Sequence, residues 1–213
     1  MPDFYLSNTR RIRDFGDGTC GVEYYDVGTD TWIAEKKPLS LYCDPWILDV
    51  TAVAGLNPAA HTAVGGTAFP YAQLDFDDAQ AEYGCWRFAL PPNFDPDEDI
   101  IFRIFWKSAT AIGGDVVLGV SVLGREEGDD IDAAAMGAVV QVTDTVQGVV
   151  EQITVTTITL TPAEHLLAAN DMVIVMVTRD GADVEDTLIG DADVVMVKVD
   201  IAINPAILIT GMP

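Results

Sequence analysis

The chain has 213 residues, 49% of them hydrophobic and 21% charged, which is enough apolar material for a real core and argues against wholesale disorder. Thirty-four acidic residues against eleven basic ones give a formal charge of −23, which repels nucleic-acid phosphates and anionic membranes and removes both from the expected partners. Cys20, Cys43 and Cys85 are an odd set with neither C-x-x-C spacing nor adjacent histidines, so structural thiols in a reducing compartment are expected and not a disulfide framework or a zinc site.

The charge is unevenly spread. Arg10, Arg11, Arg13, Lys36 and Lys37 fall in the first 37 residues, where they nearly balance seven acids and leave −2; the remaining body holds −21. Residues 1–70 have poor periodicity and frequent turn formers, among them Gly16-Asp17-Gly18, Asp44-Pro45, Asn57-Pro58 and Gly65-Gly66. Short apolar pieces at 39–42 and 46–53 suffice for one strand each, and 53–69 is rich in alanine, glycine and threonine with little to bury. The expectation is an extended N-terminal arm over 1–70, ordered against a neighbour, with loops over one end of the fold as the alternative. Met1-Pro2-Asp3 lacks the basic-then-apolar pattern of a signal peptide, so synthesis and assembly in a cytoplasm are expected.

From residue 71 to 213 a β-sandwich domain is expected. Residues 71–76 alternate, and 85–90 form an apolar run stopped by Pro91-Pro92. In 100–106 alternation appears once Arg103 is placed outward, and in 115–123 Val116, Leu118, Val120 and Val122 share one face. A short strand at 139–142, a cleanly alternating one at 152–160, and two more at 172–178 and 194–203 complete the set. Thr161-Pro162-Ala163-Glu164 reads as a capped helix start, with a hydroxyl at the cap, proline at the first position and glutamate three residues on. A second short helix is a candidate at 129–137. The fold class is therefore mostly β: an antiparallel, jelly-roll-like β sandwich with one short helix and an irregular N-terminal arm. The terminal apolar residues Ile207, Leu208 and Ile209 are expected to pair as an edge strand within their own subunit or a neighbour's.

No catalytic residue is assigned. The two histidines, His61 and His165, have no motif around them, and no glycine-rich phosphate loop is present. Arg87, Arg103, Phe105, Trp106 and Lys107 interleave basic and aromatic side chains as a sugar or nucleic-acid platform would, but Trp86 and Trp106 stand at strand spacing and read as core. Aspartates cluster at 75–78, 95–99 and 180–186; Asp95, Asp97 and Asp99 are weak calcium candidates, since calcium takes oxygen ligands from such loops, while solvated turn chemistry is the favoured reading. No metal, cofactor or small-molecule substrate is otherwise expected.

The run Leu90-Pro91-Pro92-Asn93-Phe94-Asp95, the strand Ile100 to Ser108 and the piece Gly114 to Leu123 resemble jelly-roll virion proteins of tailed bacteriophages. So do Leu167 to Asp180, with Ala169-Asn170-Asp171 and Arg179-Asp180, and the following Asp186-Thr187 and Gly190-Asp191. The resemblance covers about residues 86–203. It implies a trimer-forming sandwich on the outer surface of a capsid: a cement or decoration protein that binds the major capsid protein, or the receptor-binding head of a fibre. Under it, Arg10, Arg11, Arg13, Lys36 and Lys37 would contact the capsid or a neighbouring subunit, and Ile207, Leu208 and Ile209 a subunit. A carbohydrate-binding module on the same sandwich is the third reading.

Overall fold

The computed structural model describes the backbone of residues 4–7, 10–14, 19–26, 31–34, 37–43, 56–132, 135–204 and 207–208, with side chains for 39–41, 56–132 and 135–204. It is a mostly β protein. Its strands in chain order are β1 (Phe4–Ser7), β2 (Arg10–Asp14), β3 (Thr19–Asp26), β4 (Thr31–Ala34), β5 (Lys37–Cys43), β6 (Asn57–Pro58), β7 (Ala60–Val64) and β8 (Tyr71–Phe76). They continue with β9 (Ala81–Ala89), β10 (Ile100–Lys107), β11 (Asp115–Arg125), β12 (Val140–Thr145), β13 (Thr154–Leu160), β14 (Met172–Asp180), β15 (Ala192–Ile203) and β16 (Ile207–Leu208).

Two sheets build the sandwich. One has the order β13-β10-β15-β8-β7, with β5 also pairing along β15; the other runs β12-β11-β14-β9-β6. From β8 to β15 the chain crosses from one sheet to the other at every connection except β11–β12, which is a hairpin within one sheet; the pattern is jelly-roll-like. Alternation dictates which side chains meet between the sheets. On β13, Thr154, Thr156, Ile158 and Leu160 are buried while Val155, Thr157 and Thr159 are exposed. On β10, Ile100, Phe102, Ile104 and Trp106 point inward and are fully buried. Val116, Leu118, Val120 and Val122 meet them from β11, and Val173, Val175 and Val177 from β14. Trp86 and Trp106 are both core residues, as their spacing suggests.

One polar chain crosses this core. The Trp106 indole N–H donates to Thr156 Oγ1 at 2.8 Å, and the Thr156 hydroxyl donates to Asp144 Oδ2 at 2.7 Å. Trp106 and Thr156 belong to one sheet and Asp144 to the other, so this relay ties the layers together while satisfying a buried donor.

Several expectations need correction. The stretch read as an extended arm is strand-bearing: β1, β2 and β3 pair in sequence, β4 joins β3, and β16 pairs with β3 through Ile207↔Cys20 and Leu208↔Thr19. Residue 70 is no boundary in the hydrogen bonding either, because β5 pairs with β15, β6 with β9 and β7 with β8. The reason is local: the apolar piece at 39–42, which suffices for one strand, extends a sheet by pairing along β15. The helix expected after Thr161 is a single 3-10 turn, Pro162–His165. Thr161 makes no capping bond, and Leu166 turns left-handed at φ 54° and closes the turn onto the Pro162 carbonyl. No helix forms in the described part of 129–137.

Candidate functional site

The connections β8–β9, β10–β11, β12–β13 and β14–β15 all lie at one end of the sandwich, because Phe76, Lys107, Thr154 and Ala192 end or begin adjacent strands of one sheet while Ala81, Asp115, Thr145 and Asp180 do so in the other. That end is fastened by Arg179. This side chain points inward from β14, has no solvent exposure, and uses every guanidinium donor. Nε and Nη2 donate to the two carboxylate oxygens of Asp186 at 3.0 and 2.7 Å. Nη1 donates to the carbonyls of Phe76 and Gly190, both at 2.8 Å, and Nη2 to that of Leu188 at 3.0 Å. Asp186, itself buried, also accepts the Val117 N–H at 3.0 Å. A planar fork suits this task, since one residue fixes a carboxylate and three carbonyls in set directions.

Beside the knot lies an open groove of about 600 Å³ lined by Asp78, Thr110 to Gly114, Thr187, Ile189 and Gly190. Its floor depends on Gly114, at φ 110°, where an added Cβ would stand 2.8 Å from the Leu188 Cα and the Thr187 carbonyl oxygen.

On the face of β8 opposite to Leu74 and Phe76, Tyr71, Gln73 and Asp75 follow at every second position, so their side chains stand about 7 Å apart in a row in which Gln73 is buried and Tyr71 and Asp75 are half-buried. Thr62 of β7 lies opposite Gln73. The Thr62 hydroxyl and the Gln73 amide, the latter at 2.6 Å, both donate to the Asp75 carboxylate. Two donors leave lone pairs on a carboxylate that can accept about four bonds. The row begins with Phe69, 67% exposed, whose ring centre lies 5.9 Å from that of Tyr71 at an interplanar angle of 53°. Phe69 is presented by a turn that Gly66 permits: its φ is 60°, and any Cβ there would collide with the Phe69 carbonyl.

The row continues across the sheet as charge. Asp75 pairs in register with Asp193 of β15, and Asp193 with Lys107 of β10. Lys107 Nζ lies 2.9 Å from both Asp193 Oδ2 and Glu151 Oε2. Burial alone would lower the Lys107 ammonium, but its bonds to Asp193 and Glu151 outweigh that and raise it. Burial pushes the Asp193 carboxyl up to about 6, with Asp75 and Asp191 adding repulsion and Lys107 opposing. Asp191 and Glu82 are raised as well, chiefly by burial and then by neighbouring aspartates, although Glu82 accepts the Asp77 N–H at 2.8 Å.

The residues singled out from sequence are dispersed. Arg10, Arg11 and Arg13 lie on β2, and Lys37 opens β5; Lys36 and Ile209 fall outside the described residues. Ile207 and Leu208 form β16, paired within the chain. Asp95, Asp97 and Asp99 do not converge. Asp95 is buried and accepts the Asp97 N–H, Asp99 accepts the Thr161 hydroxyl, and no group of three or more His, Cys, Asp or Glu suited to a metal occurs among the described residues. The turn-chemistry reading fits this loop, because Asp95 closes its own turn. His61 is exposed on β7, and His165 sits in the 3-10 turn at the other end of the sandwich. The thiol of Cys85 is free and raised by burial. Sequence reasoning missed Phe69 and Tyr71 as a surface pair, since the glycines before them looked like arm. It also missed Arg179 as an anchor, for which the signal was a lone arginine in an acidic segment.

Neither a protein-family model nor a curated protein matches the sequence. Similar solved structures include the CBM35 of Abf62 from Cellvibrio japonicus, at 12% identity and TM-score 0.40, spanning 76% of this chain and 92% of that one. Another is the family 11 carbohydrate-binding module from Clostridium thermocellum with a β-1,3-1,4-mixed-linked tetrasaccharide, at 9% identity and TM-score 0.36, spanning 74% and 95%. A third is the exo-β-1,3-galactanase Pc1,3Gal43A from Phanerochaete chrysosporium with galactose, at 13% identity and TM-score 0.38; the match spans 92% of this chain but 42% of the enzyme.

Proposed function

We propose that the chain works by binding and not by turnover, as a carbohydrate-recognition module whose contact residues are Phe69, Tyr71 and Asp75, with Gln73 buried between the last two and holding the Asp75 carboxylate. The observation that carries this reading is the solvent-facing Phe69 paired with Tyr71 at the head of a polar row. A sugar ring offers C–H bonds on its faces and hydroxyls on its rim. An aromatic side chain takes the face, and a carboxylate with spare lone pairs accepts from the rim. The tryptophans of β9 and β10 are occupied as core and cannot serve as the stacking surface.

Glycan-array screening followed by calorimetry tests this. Phe69→Ala should leave unfolding within about 0.5 kcal/mol of the parent, since the ring is exposed, and weaken the selected glycan by at least about tenfold, or ~1.4 kcal/mol. An array with no selective glycan, or equal affinity in the variant, sinks the reading.

A second reading is a virion decoration protein that binds the major capsid protein as a homotrimer on the outer capsid surface. The resemblance over 86–203 supports it, as does the exposed apolar set Val149, Val150, Ile153 and Val155 leading into the edge strand β13. Co-sedimentation with emptied phage heads would favour it, and failure to co-sediment would remove it.

A further inference from the structure

The charge of this protein has a gap. From Ala138 to Ala163 the chain carries two charged residues, Asp144 and Glu151, in a molecule of net charge −23. Both have partners: Asp144, half-buried, accepts the Thr156 hydroxyl, and Glu151, with its side chain 54% exposed, is paired with Lys107. This stretch comprises β12, the 146–153 connection and β13, and it forms one flank of the sandwich. Among the described strands β12 pairs with β11 alone and β13 with β10 alone, so both sheets end here with an open edge. The flank also collects Val139, Val149, Val150, Ile153 and Val155, each between 39% and 54% exposed. Asp115 and Glu185 border it at the loop end, where they accept the hydroxyls of Thr145 and Thr143.

We infer that this flank is where copies of the chain meet one another. Two surfaces rich in carboxylate repel, so a second copy, which bears the same −23, is repelled from acidic surfaces and meets least repulsion where charge is absent. Two further features fit a second copy. An open strand edge offers unpaired N–H and C=O groups to another strand, and exposed β-branched side chains beside it gain from burial. Isolated edges of this kind are usually guarded by charge, and β13 (TVTTITL) has none. The contact is separate from the Phe69 row, and neither depends on the other.

Light scattering coupled to size exclusion, run on the full chain over a wide concentration range, reads the outcome. The parent chain should self-associate. Ile153→Glu combined with Val155→Glu should weaken association by roughly a hundredfold with an unchanged unfolding curve, because both positions are exposed. Leu166→Glu, an exposed site in the turn at the other end of the molecule, adds a charge away from the flank and should leave association intact. A parent chain that stays monomeric overturns the inference. So does a double variant that assembles like the parent, or a Leu166 variant that dissociates as fully as the double variant.

Discussion

Arg179→Met should destabilise the protein by about 3–5 kcal/mol, read as a fall in the urea midpoint at unchanged slope. The loss exceeds that of an ordinary core truncation because the substitution strands other groups. Asp186 would remain as a buried anion with its cation gone, and the carbonyls of Phe76, Leu188 and Gly190 would each lose a donor. Total stabilities of ~5–15 kcal/mol make such a loss a large share of the whole. A double variant, Arg179→Met with Asp186→Leu, separates two explanations. Removing the stranded charge should recover part of the loss, since replacing both partners of a buried pair is far milder than removing one. If Arg179→Met alone unfolds within about 1 kcal/mol of the parent, the knot does not hold the loop end together.

How much of this was legible in the sequence depends on where each residue's partners lie. The alternation of β10, β11 and β13 encodes both the strand and its buried face within a few residues, so the sandwich, its inward valines and its core tryptophans could be read directly. β7 could not, because its alanine- and threonine-rich segment becomes a strand only by pairing with β8; for β5 the strand could be read from 39–42, but not its partner β15, well over a hundred residues away. Thr161-Pro162-Ala163-Glu164 had the local chemistry of a helix start, yet Leu166 adopts a left-handed backbone and ends it after one turn. The candidate site follows the same logic. Aspartates 180–186 looked like solvated turn residues, and most are; Asp186 alone is drawn inward, by an arginine seven positions earlier that enters from β14. The pairing of Asp75, Asp193 and Lys107 joins three strands in register, a relation no spacing in the chain reveals.

The same three-strand row makes stability depend on acidity in an unusual direction. Asp193, Asp191 and Glu82 all have carboxyl groups raised in the folded protein, mainly by burial. A raised carboxyl binds its proton more tightly in the folded state than in the unfolded chain, so its contribution is complete below the unfolded value and disappears as pH rises through the folded one. For Asp193 that window runs from 3.8 up to about 6. Lys107 does not oppose this, because its own raised value affects stability only in the alkaline range above 10.5. Lowering pH from about 7.5 to about 5 should therefore stabilise the protein, with Asp193 alone supplying about 1.4 kcal/mol and Asp191 and Glu82 adding in the same sense. Partial neutralisation of a −23 chain pushes the same way by easing self-repulsion. Thermal unfolding across this range should show a rising midpoint for the parent chain and a visibly flatter profile for Asp193→Asn, which keeps an oxygen for Lys107 but has no proton to take up. A parent midpoint that falls on acidification, or an Asp193→Asn profile that superimposes on the parent's, would show that this row does not control the response.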